Sequence, residues 1–376
     1  MNHLYLKKAI VSVINDLVTD QRVHKSCLAL KKSGFEVLLV GRKMRKSPDL
    51  QVRPYACKRM KLIFEQGPLF YAEFNLRLFF FLLLKRANLY LSNDLDTLLP
   101  NFLISRMKRK PLVFDSHEYF TGTPELADRA FVRKTWKAIE AFIVPRLTEM
   151  ITVNDSIAGL FYDEYSIKAK VVRNIPQRFH TIEKPDRSEL GIPENKKILV
   201  LQGSGINIQR GAEELVQAMA LLPDFHLMVI GGGDVINQLQ KLTASLEISE
   251  RVRFLPRMQY AEMMAYTLNA DLGITLDKDT NINYRFSLPN KLFDYIQAGI
   301  PVLASPLPEI KKIILAYDIG SFIVNHKPEN IANAIKDAFS NAERFEKWKA
   351  NTKKASQELS WEKEEKILLN IYGQYN

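Results

Sequence analysis

Cysteine is scarce in this chain, and no long apolar run is present. The 376 residues include two cysteines, Cys27 and Cys57, which form neither a disulfide framework nor the paired spacing of a zinc site. This excludes a disulfide-stapled secreted protein and favours a cytoplasmic location. The longest uninterrupted apolar run covers residues 78–84, well short of the ~20 residues that cross a bilayer. No signal peptide is visible at the start, so we expect no membrane span.

The glycine fingerprint of a dinucleotide site is also missing. Residues 15–22, after the first expected strand, contain Asn15, Asp16, Asp20 and Arg22 in its place. NAD binding is therefore not expected there. The charged side chains of this segment either face a ligand cleft or, for Asp20, only cap the following helix.

Basic residues are in excess only in the first half of the chain. The net charge is +11, and residues 1–175 hold 29 lysines and arginines against 17 aspartates and glutamates, while the remainder holds 24 against 25. The densest stretch is residues 42–61, whose basic residues are Arg42, Lys43, Arg45, Lys46, Arg53, Lys58, Arg59 and Lys61. This favours an anionic partner, or a basic face that serves solubility. Because no aromatic–basic module accompanies the stretch, we expect no nucleic-acid partner.

Short apolar segments alternate with helical ones in both halves. The expected strands occupy residues 9–14, 37–40, 88–91, 112–114, 150–153 and 170–172, then 197–201, 226–230, 252–254, 272–275, 301–304 and 321–324. This alternation predicts an α/β fold with parallel, doubly wound sheets. A polar stretch with three prolines, from residue 174 to Pro193, is typical of a linker. We therefore expect two Rossmann-like domains that face a central cleft, with ligands beyond the carboxyl ends of the strands.

The most informative segment is residues 287–304. Its pattern predicts a loop, a short helix ended by Gly299, and a buried strand. The start of a helix presents unpaired backbone N–H groups that favour an anion. Asp294, one turn further along, can accept hydrogen bonds from sugar hydroxyls. The candidate phosphate-binding residues are Leu288, Asn290, Lys291 and Leu292.

Glycine-containing turns follow the first two strands of the second half. Residues 202–211 include Gly203 and Arg210, and Arg210 can clamp a diphosphate, although an ordinary turn with a surface arginine has the same pattern. Residues 231–234 favour close approach of a ligand or of a neighbouring loop, and Asp234 is a possible N-cap. The candidate ligand-binding glycines of this second turn are Gly232 and Gly233.

A polar group at residues 115–118 follows an expected strand of the first half. His117 in this group can donate to a substrate hydroxyl or exchange a proton near neutral pH. A structural histidine is the alternative. No other His or Cys stands at ligand spacing, so a metal site is not expected.

An unusually apolar helix is indicated at residues 74–85, after the basic stretch. One interpretation is a core helix packed on the sheet. The other is that helix and basic stretch together dock on the surface of an anionic membrane.

Together these segments resemble a family 4 glycosyltransferase of the GT-B fold. The resemblance involves residues 15–23 with 34–37, 115–118, 202–211, 230–234 with 252–255, 289–301, and the final helix with Trp361. Three positions depart from the family pattern. The Glu-x7-Glu pair has Asp294 at its second position but Phe286 at its first, and Ser204 stands where a diphosphate-binding residue is common.

The resemblance implies transfer of a sugar from a nucleotide diphosphate to an acceptor hydroxyl, with retention and without a metal or other cofactor. His117 would contact the donor sugar, Arg210 the diphosphate and Asp294 the ribose, as catalytic residues. The acceptor would be a glycan or a lipid-linked molecule of cell-surface polysaccharide synthesis, with the enzyme at the inner face of the cytoplasmic membrane. The implied domains are 1–175 for the acceptor, 176–355 for the nucleotide sugar, and a helix at 356–376 that crosses back.

Two other functions share this pattern. A sugar-nucleotide epimerase of GT-B-like architecture would use the same diphosphate site, but it needs more acid–base groups than His117 and Glu118. A non-catalytic scaffold derived from a transferase is the second alternative, and Phe286 is the feature that favours it.

Overall fold

The computed structural model describes residues 6–18, 20–45, 47–123, 126, 129–177 and 184–376. Two compact units are present, the first comprising Met1–Asn174 with Lys363–Asn376 and the second Ile175–Glu362. Thr19, Lys46 of the basic stretch and residues 178–183 of the expected linker lie outside the described residues.

The described part of the first unit contains a seven-stranded parallel sheet in the order β3-β2-β1-β4-β5-β6-β7. Neighbours β1 and β4 are not consecutive in the chain, so a topological switch point lies between their carboxyl ends. The strands are β1 (Lys8–Asp16), β2 (Glu36–Lys43), β3 (Ala56–Lys61), β4 (Leu89–Asn93), β5 (Leu112–Ser116), β6 (Glu149–Thr152) and β7 (Lys170–Val171).

Helices of the first unit connect these strands. They are α1 (Gln21–Lys32), α2 (Gly67–Leu84), α3 (Leu98–Lys108), α4 (Ala130–Ile143) and α5 (Asp155–Tyr165). Helix α1 begins where the Asp20 carboxylate accepts from the Val23 amide, which is the capping alternative considered for Asp20.

The second unit repeats this plan with a six-stranded parallel sheet in the order β10-β9-β8-β11-β12-β13. Its strands are β8 (Lys197–Gly203), β9 (Phe225–Gly231), β10 (Val252–Leu255), β11 (Leu272–Thr275), β12 (Val302–Ala304) and β13 (Gly320–Phe322). Its helices are α6 (Ala212–Met219), α7 (Ile236–Ser245), α8 (Tyr260–Leu268), α9 (Ile282–Arg285), α10 (Asn290–Ala298), α11 (Pro308–Tyr317), α12 (Pro328–Ser340) and α13 (Ala342–Glu358).

Alternating side chains of the central strand β8 enter two different cores. Leu199 and Leu201 pack with helices α6 and α12, whereas Ile198 and Val200 pack with α10 and α11. Because successive side chains of a strand point to opposite faces, a strand that is apolar throughout requires helices on both faces of its sheet. The predicted α/β, doubly wound class is confirmed.

Strand β3 is the element that the sequence failed to indicate. It lies at the edge of the first sheet, with Met60 buried and Lys58 and Lys61 exposed. Lysines on an edge strand oppose pairing with another molecule. Part of the basic stretch at residues 42–61 therefore has a structural explanation.

The C-terminal helix expected within residues 356–376 is present. Helix α13 ends at Glu358, and a separate helix α14 spans Trp361–Gly373. The first unit includes the chain from Lys363 onward. There the carboxylate of Glu364 accepts from the guanidinium of Arg173 at 2.6 Å, and Glu364 is buried, so this pair fixes α14 on its unit.

Helix α2 is the one described helix that has the length and apolar composition of a membrane span, with a mean hydropathy of 1.3 over 18 residues. Four of its side chains are buried, and they recur at every fourth position: Phe70, Phe74, Leu78 and Leu82. The core interpretation of this helix is thus correct for one face. Its opposite face is exposed and apolar.

Candidate functional site

The two glycine turns of the second unit lie against each other at the carboxyl ends of β8 and β9. Gly203 and Gly231 are paired across these strands. The Gly232 amide donates to the Gly203 carbonyl at 3.2 Å, and the Ile206 amide donates to the Gly232 carbonyl at 2.9 Å. Backbone hydrogen bonds therefore tie each turn to the other.

The space around each glycine distinguishes a packing role from a ligand-binding one. A Cβ at Gly231 would lie 1.9 Å from the Gly203 carbonyl oxygen, and one at Gly233 would lie 2.0 Å from that of Ile206. A Cβ at Gly232 would meet the Arg257 guanidinium at 2.8 Å. At Gly203 the nearest atoms are 3.9 Å away. Packing therefore accounts for Gly231 and Gly233, while a Cβ at Gly203 would be tolerated and packing does not explain the glycine.

Two cations converge on one buried carboxylate just after β11. The carboxylate of Asp277 has no exposed surface, and its Oδ2 lies 3.2 Å from the Arg210 Nη1. Lys291, 9% exposed, places its Nζ 3.9 Å from the Asp277 Oδ1. Burial lowers the pKa of Lys291, and the Asp277 carboxylate opposes that shift. A single carboxylate cannot neutralise two cations, so this cluster favours a further anion.

The loop before α6 positions Arg210 in this cluster. Gly211 adopts a left-handed conformation at φ 72°, and a Cβ there would meet the Leu276 carbonyl oxygen at 2.4 Å. Only glycine suits that combination. The Arg210 guanidinium then lies over the Tyr284 ring, 4.7 Å from its centroid, which favours the cation by its contact with the aromatic face.

Besides the glycine turns and the Asp277 cluster, the site includes helix α10. This helix ends at Gly299, which adopts a left-handed conformation, as the sequence predicts. No side chain caps its first turn. Asp294 is buried, and its carboxylate accepts from the Gln202 side chain at 3.0 Å and from the Tyr260 hydroxyl at 2.6 Å. These partners orient the carboxylate beside the end of β8.

The other residues predicted at this helix start differ in their surroundings. Asn290 is exposed, and Leu288 is partly buried. Leu292 is fully buried in the core of the unit, and its amide donates to the Pro289 carbonyl at 3.1 Å. The structure gives Leu292 a packing role, because its side chain and its amide are both engaged.

Asp234 is not the N-cap that the sequence suggested. Helix α7 begins at Ile236, with Val235 in the capping position. The Asp234 carboxylate instead accepts from the Ile208 amide at 3.1 Å. The residue therefore ties the turn after β9 to the loop after β8.

A cavity of about 580 Å³ follows β10 in the same unit. It is lined by Leu255, Pro256, Arg257, Met258, Gln259, Glu262 and Tyr266. The Arg257 guanidinium donates to the Ser204 carbonyl, so the cavity adjoins the glycine turns. Its volume falls within the range of small-molecule sites. Sequence patterns do not indicate this cavity, because its lining has no motif.

In the first unit, His117 follows β5 and lies between two carboxylates. Its amide donates to the Asp94 Oδ1 at 2.8 Å, and its Nδ1 lies 3.2 Å from the Asp94 Oδ2. Its Nε2 is 3.6 Å from the Asp115 Oδ2. The imidazole is 18% exposed, so it is mostly shielded from water while both ring nitrogens face negative charge.

These contacts determine the charge of His117. Burial lowers its pKa, but the carboxylates of Asp94 and Asp115 outweigh burial and raise the pKa to about 10. Burial raises the pKa of Asp115, but the positive charges of Arg22 and His117 outweigh burial and hold this pKa below its usual range. At neutral pH His117 is thus an imidazolium that donates hydrogen bonds. This favours the donor role over proton exchange.

Asp94 was missed by the sequence interpretation. It has φ 58° and ψ 165°, a backbone region that is almost restricted to glycine and costs about 1–3 kcal/mol. Such strain persists where the surroundings impose it, and functional sites are typical places. The available signal was a polar residue directly after the buried strand β4, beside the switch point.

The segment at residues 15–22 contributes a residue that supports this histidine. Arg22 is buried, with its Nη2 2.7 Å from the Asp115 Oδ1, and it also donates to the Val172 carbonyl at 2.7 Å. Asp16 accepts from the Val18 amide and from the Arg59 guanidinium. Arg22 therefore orients Asp115. Across the described ranges, no group of three or more His, Cys, Asp or Glu side chains is arranged to hold a metal ion.

Solved structures identify the architecture. The sucrose-phosphate synthase of Thermosynechococcus elongatus is similar with a TM-score of 0.76 and 18% identity, over 98% of each chain. The Anabaena protein Alr3699/HepE, solved in complex with UDP, has a TM-score of 0.72 and 14% identity, over 98% of this chain and 100% of that one. The chain has the GT-B fold of glycosyltransferases.

A sequence family matches the second unit more specifically. Residues 183–355 match the family described as Glycosyl transferases group 1. The D-inositol 3-phosphate glycosyltransferase of Xylanimonas cellulosilytica is 22% identical over 198 residues, which is 50% of this chain and 45% of that relative. The aligned segment thus spans about half of the curated relative. Residues 183–355 of the second unit are thus similar to glycosyltransferase domains of the group 1 type.

Proposed function

We propose that this protein is a retaining, metal-independent glycosyltransferase that moves a sugar from a nucleotide-diphosphate sugar to an acceptor hydroxyl. The observation that carries the proposal is the cluster of Arg210 and Lys291 around Asp277. The departing diphosphate gains negative charge as the glycosidic bond to it breaks. Two fixed cations near it stabilise that charge in the transition state, as a metal ion does in other transferases.

The neighbouring groups fit the remaining parts of a donor. Packing does not explain the glycine at Gly203, and the absence of a side chain there would let a phosphate approach the backbone. Asp294, oriented by Gln202 and Tyr260, would accept from a ribose hydroxyl. The nucleobase would occupy the cavity after β10. UDP bound to the similar Anabaena protein supports a nucleoside diphosphate as the ligand class.

His117 is the proposed catalytic group of the first unit. As an imidazolium it would donate to an oxygen of the donor sugar. Retention at the anomeric carbon is implied by the resemblance to family 4. The first unit would bind the acceptor, which we propose to be a glycan or a lipid-linked molecule of cell-surface polysaccharide synthesis, on the cytoplasmic side of a membrane.

A thermal-shift screen tests the donor site. UDP, GDP, ADP, CMP and their sugar conjugates are added with and without Mg²⁺, and a ligand at about 100 times its Kd stabilises the protein by ~2.7 kcal/mol. We expect one nucleotide diphosphate to stabilise the wild type without Mg²⁺ and to fail on Arg210→Ala. The matched control is Arg344→Ala, which removes an arginine paired with Asp337 elsewhere in the same unit.

The alternatives predict different results in the same experiment. No shift with any nucleotide would reject the transferase proposal. A shift without release of nucleoside diphosphate in the presence of acceptors would favour the scaffold. Conversion of the donor sugar without any acceptor would favour the epimerase.

The different roles of Gly203, proposed for ligand binding, and Gly233, explained by packing, give a second prediction with two variants. Gly203→Ala places its Cβ 3.9 Å from the nearest atoms, so we expect almost unchanged stability but a weaker nucleotide-induced shift. Gly233→Ala forces its Cβ against the Ile206 carbonyl, and we expect a loss of about 2 kcal/mol in the free energy of unfolding. Urea unfolding measures the stability of both variants. Wild-type nucleotide affinity in Gly203→Ala would remove this residue from the site.

A further inference from the structure

The exposed face of α2 is mainly apolar, and Arg77 is the exposed charged residue of the helix. We call this face the α2 strip and define it as Ile63, Leu69, Leu76, Phe80 and Leu84, which are 71%, 58%, 59%, 53% and 82% exposed. The four helical members recur at spacings of seven, four and four residues and so form one stripe. Ile63 is included because it is exposed and its amide donates to the Glu73 carboxylate, which holds its backbone beside α2.

Basic side chains surround the carboxyl end of this strip. Lys85 and Arg86 directly follow α2, and Arg109 and Lys110 follow α3; all four are exposed. The Lys108 ammonium joins these helix ends by donating to the carbonyls of Leu82 and Lys85 at 2.7 and 2.6 Å. We call Lys85, Arg86, Arg109 and Lys110 the basic end.

The acidic residue within α2 is already compensated. The Glu73 carboxylate accepts from the Arg77 Nε at 2.8 Å and from the amides of Ile63 and Phe64. These contacts lower the pKa of Glu73. The surface therefore presents apolar area with a net positive border, and it lies in the unit that holds the whole basic excess of the chain.

We propose that the α2 strip docks on an anionic lipid bilayer, with α2 lying in the membrane plane. Apolar side chains that enter the acyl boundary gain by leaving water, and nearby lysines and arginines are attracted to anionic headgroups. This surface goes beyond the proposed transfer reaction, and its test does not depend on that reaction.

An in-plane helix fits the structure better than a membrane span. The helix is about 27 Å long, but Phe70, Phe74, Leu78 and Leu82 are buried against its own unit. The Asn75 side chain also donates to the Asp96 carbonyl at 2.9 Å. Crossing the bilayer would remove these contacts, whereas docking by the strip keeps them.

Vesicle co-sedimentation tests the proposal without any donor or acceptor. The probe is a vesicle of equal parts phosphatidylcholine and phosphatidylglycerol, compared with phosphatidylcholine alone. We expect binding to the anionic vesicle, and about tenfold or more weaker binding for Leu76→Asp. Leu315→Asp is the matched control, because Leu315 of α11 is 61% exposed and lies outside the strip; its binding should equal that of the wild type. Lys85→Glu should weaken binding about fivefold or more.

Several outcomes would overturn the proposal. They are absence of wild-type binding, equal binding to neutral vesicles, and Leu76→Asp binding like the wild type. Resistance to carbonate extraction would show a span instead. A dimer in sedimentation that Leu76→Asp dissociates, without vesicle binding, would show that a second copy covers the strip. Nucleotide-induced thermal shifts of Leu76→Asp should equal those of the wild type, so a failed docking result leaves the donor site separately testable.

Discussion

Replacement of Lys291 by methionine is expected to lower kcat/KM for glycosyl transfer by about 10²–10³-fold, because removal of one preorganised group that stabilises a developing negative charge has this typical cost. Methionine keeps most of the length of the side chain and removes its charge. Asp277 still has Arg210 at 3.2 Å, so its buried carboxylate remains paired and the fold should persist. Initial rates with the donor found in the nucleotide screen measure the effect.

A matched lysine separates this effect from a general change in charge. Lys336 is exposed on α12 of the same unit, and Lys336→Met should keep wild-type kcat and KM. A fall in kcat for Lys291→Met means that Lys291 acts on the departing diphosphate. A rise in KM alone means that it binds the donor equally in ground and transition states. Unchanged kcat/KM in a folded Lys291→Met protein would contradict the proposed role of the cluster.

Local patterns were sufficient to predict the fold. Strand β11 occupies the predicted residues, and α10 ends at the predicted Gly299, because apolar periodicity and helix-ending glycines depend on neighbouring residues only. Strand β3 was missed because pairing with β2 overrides a charged, edge-strand sequence. Its strand character comes from the sheet and not from its own composition.

The candidate site was predictable only in part, and the two missed acids explain why. Asp94 follows β4 and Asp277 follows β11, the strands next to the switch points beside β1 and β8. Neither residue belongs to a motif, and the importance of each arises from side chains that are remote in sequence. A polar residue one or two positions after a buried strand at a switch point is the transferable signal. It could have been applied once the strand order was assumed.

The glycine turns show the opposite limitation. The glycines are visible in the sequence, but the sequence does not show which of them are needed for ligand binding and which for packing. Gly231 and Gly233 are required because a Cβ at either position would lie 1.9 or 2.0 Å from a carbonyl oxygen of the facing loop. A Cβ at Gly203 would make only ordinary van der Waals contacts at 3.9 Å. Only the distances between two loops that are remote in sequence make this distinction.

Replacement of His117 by glutamine is expected to abolish most transfer activity and to change how stability depends on pH. The pKa of His117 is about 10 in the folded protein and 6.5 as a free side chain. A group whose pKa is raised by folding stabilises the protein fully below its unfolded pKa, and this contribution is lost as pH rises through the folded pKa. The wild type should therefore lose about 3–5 kcal/mol relative to His117→Gln between pH 6.5 and 10.

Another histidine, His226, should change the pH dependence of stability in the opposite direction, and it serves as the control. Burial, with a smaller contribution from Arg253, lowers the pKa of His226. The unfolded state then binds the proton more tightly, so His226 destabilises the protein as pH falls below 6.5. Urea unfolding of wild type, His117→Gln and His226→Gln measures both slopes when the pH series extends from below 6.5, where His226 acts, up to 10, where the His117 contribution is lost. A flat difference between wild type and His117→Gln from pH 6.5 to 10 would show that the carboxylates do not hold a proton on this ring.

The pH dependence of the rate then separates the two chemical roles of His117. A hydrogen-bond donor with a pKa of about 10 stays charged from pH 6 to 8, so wild-type activity should not fall as the pH is lowered through 6.5. A proton-exchanging histidine would titrate there and produce that fall.

Asp94 provides a further check. Asp94→Asn removes one of the two carboxylates that raise the pKa of His117, and it should move the loss of activity at alkaline pH to lower pH. Such a movement would be unexpected if Asp94 only maintained the backbone, because a purely structural contact does not change where His117 titrates.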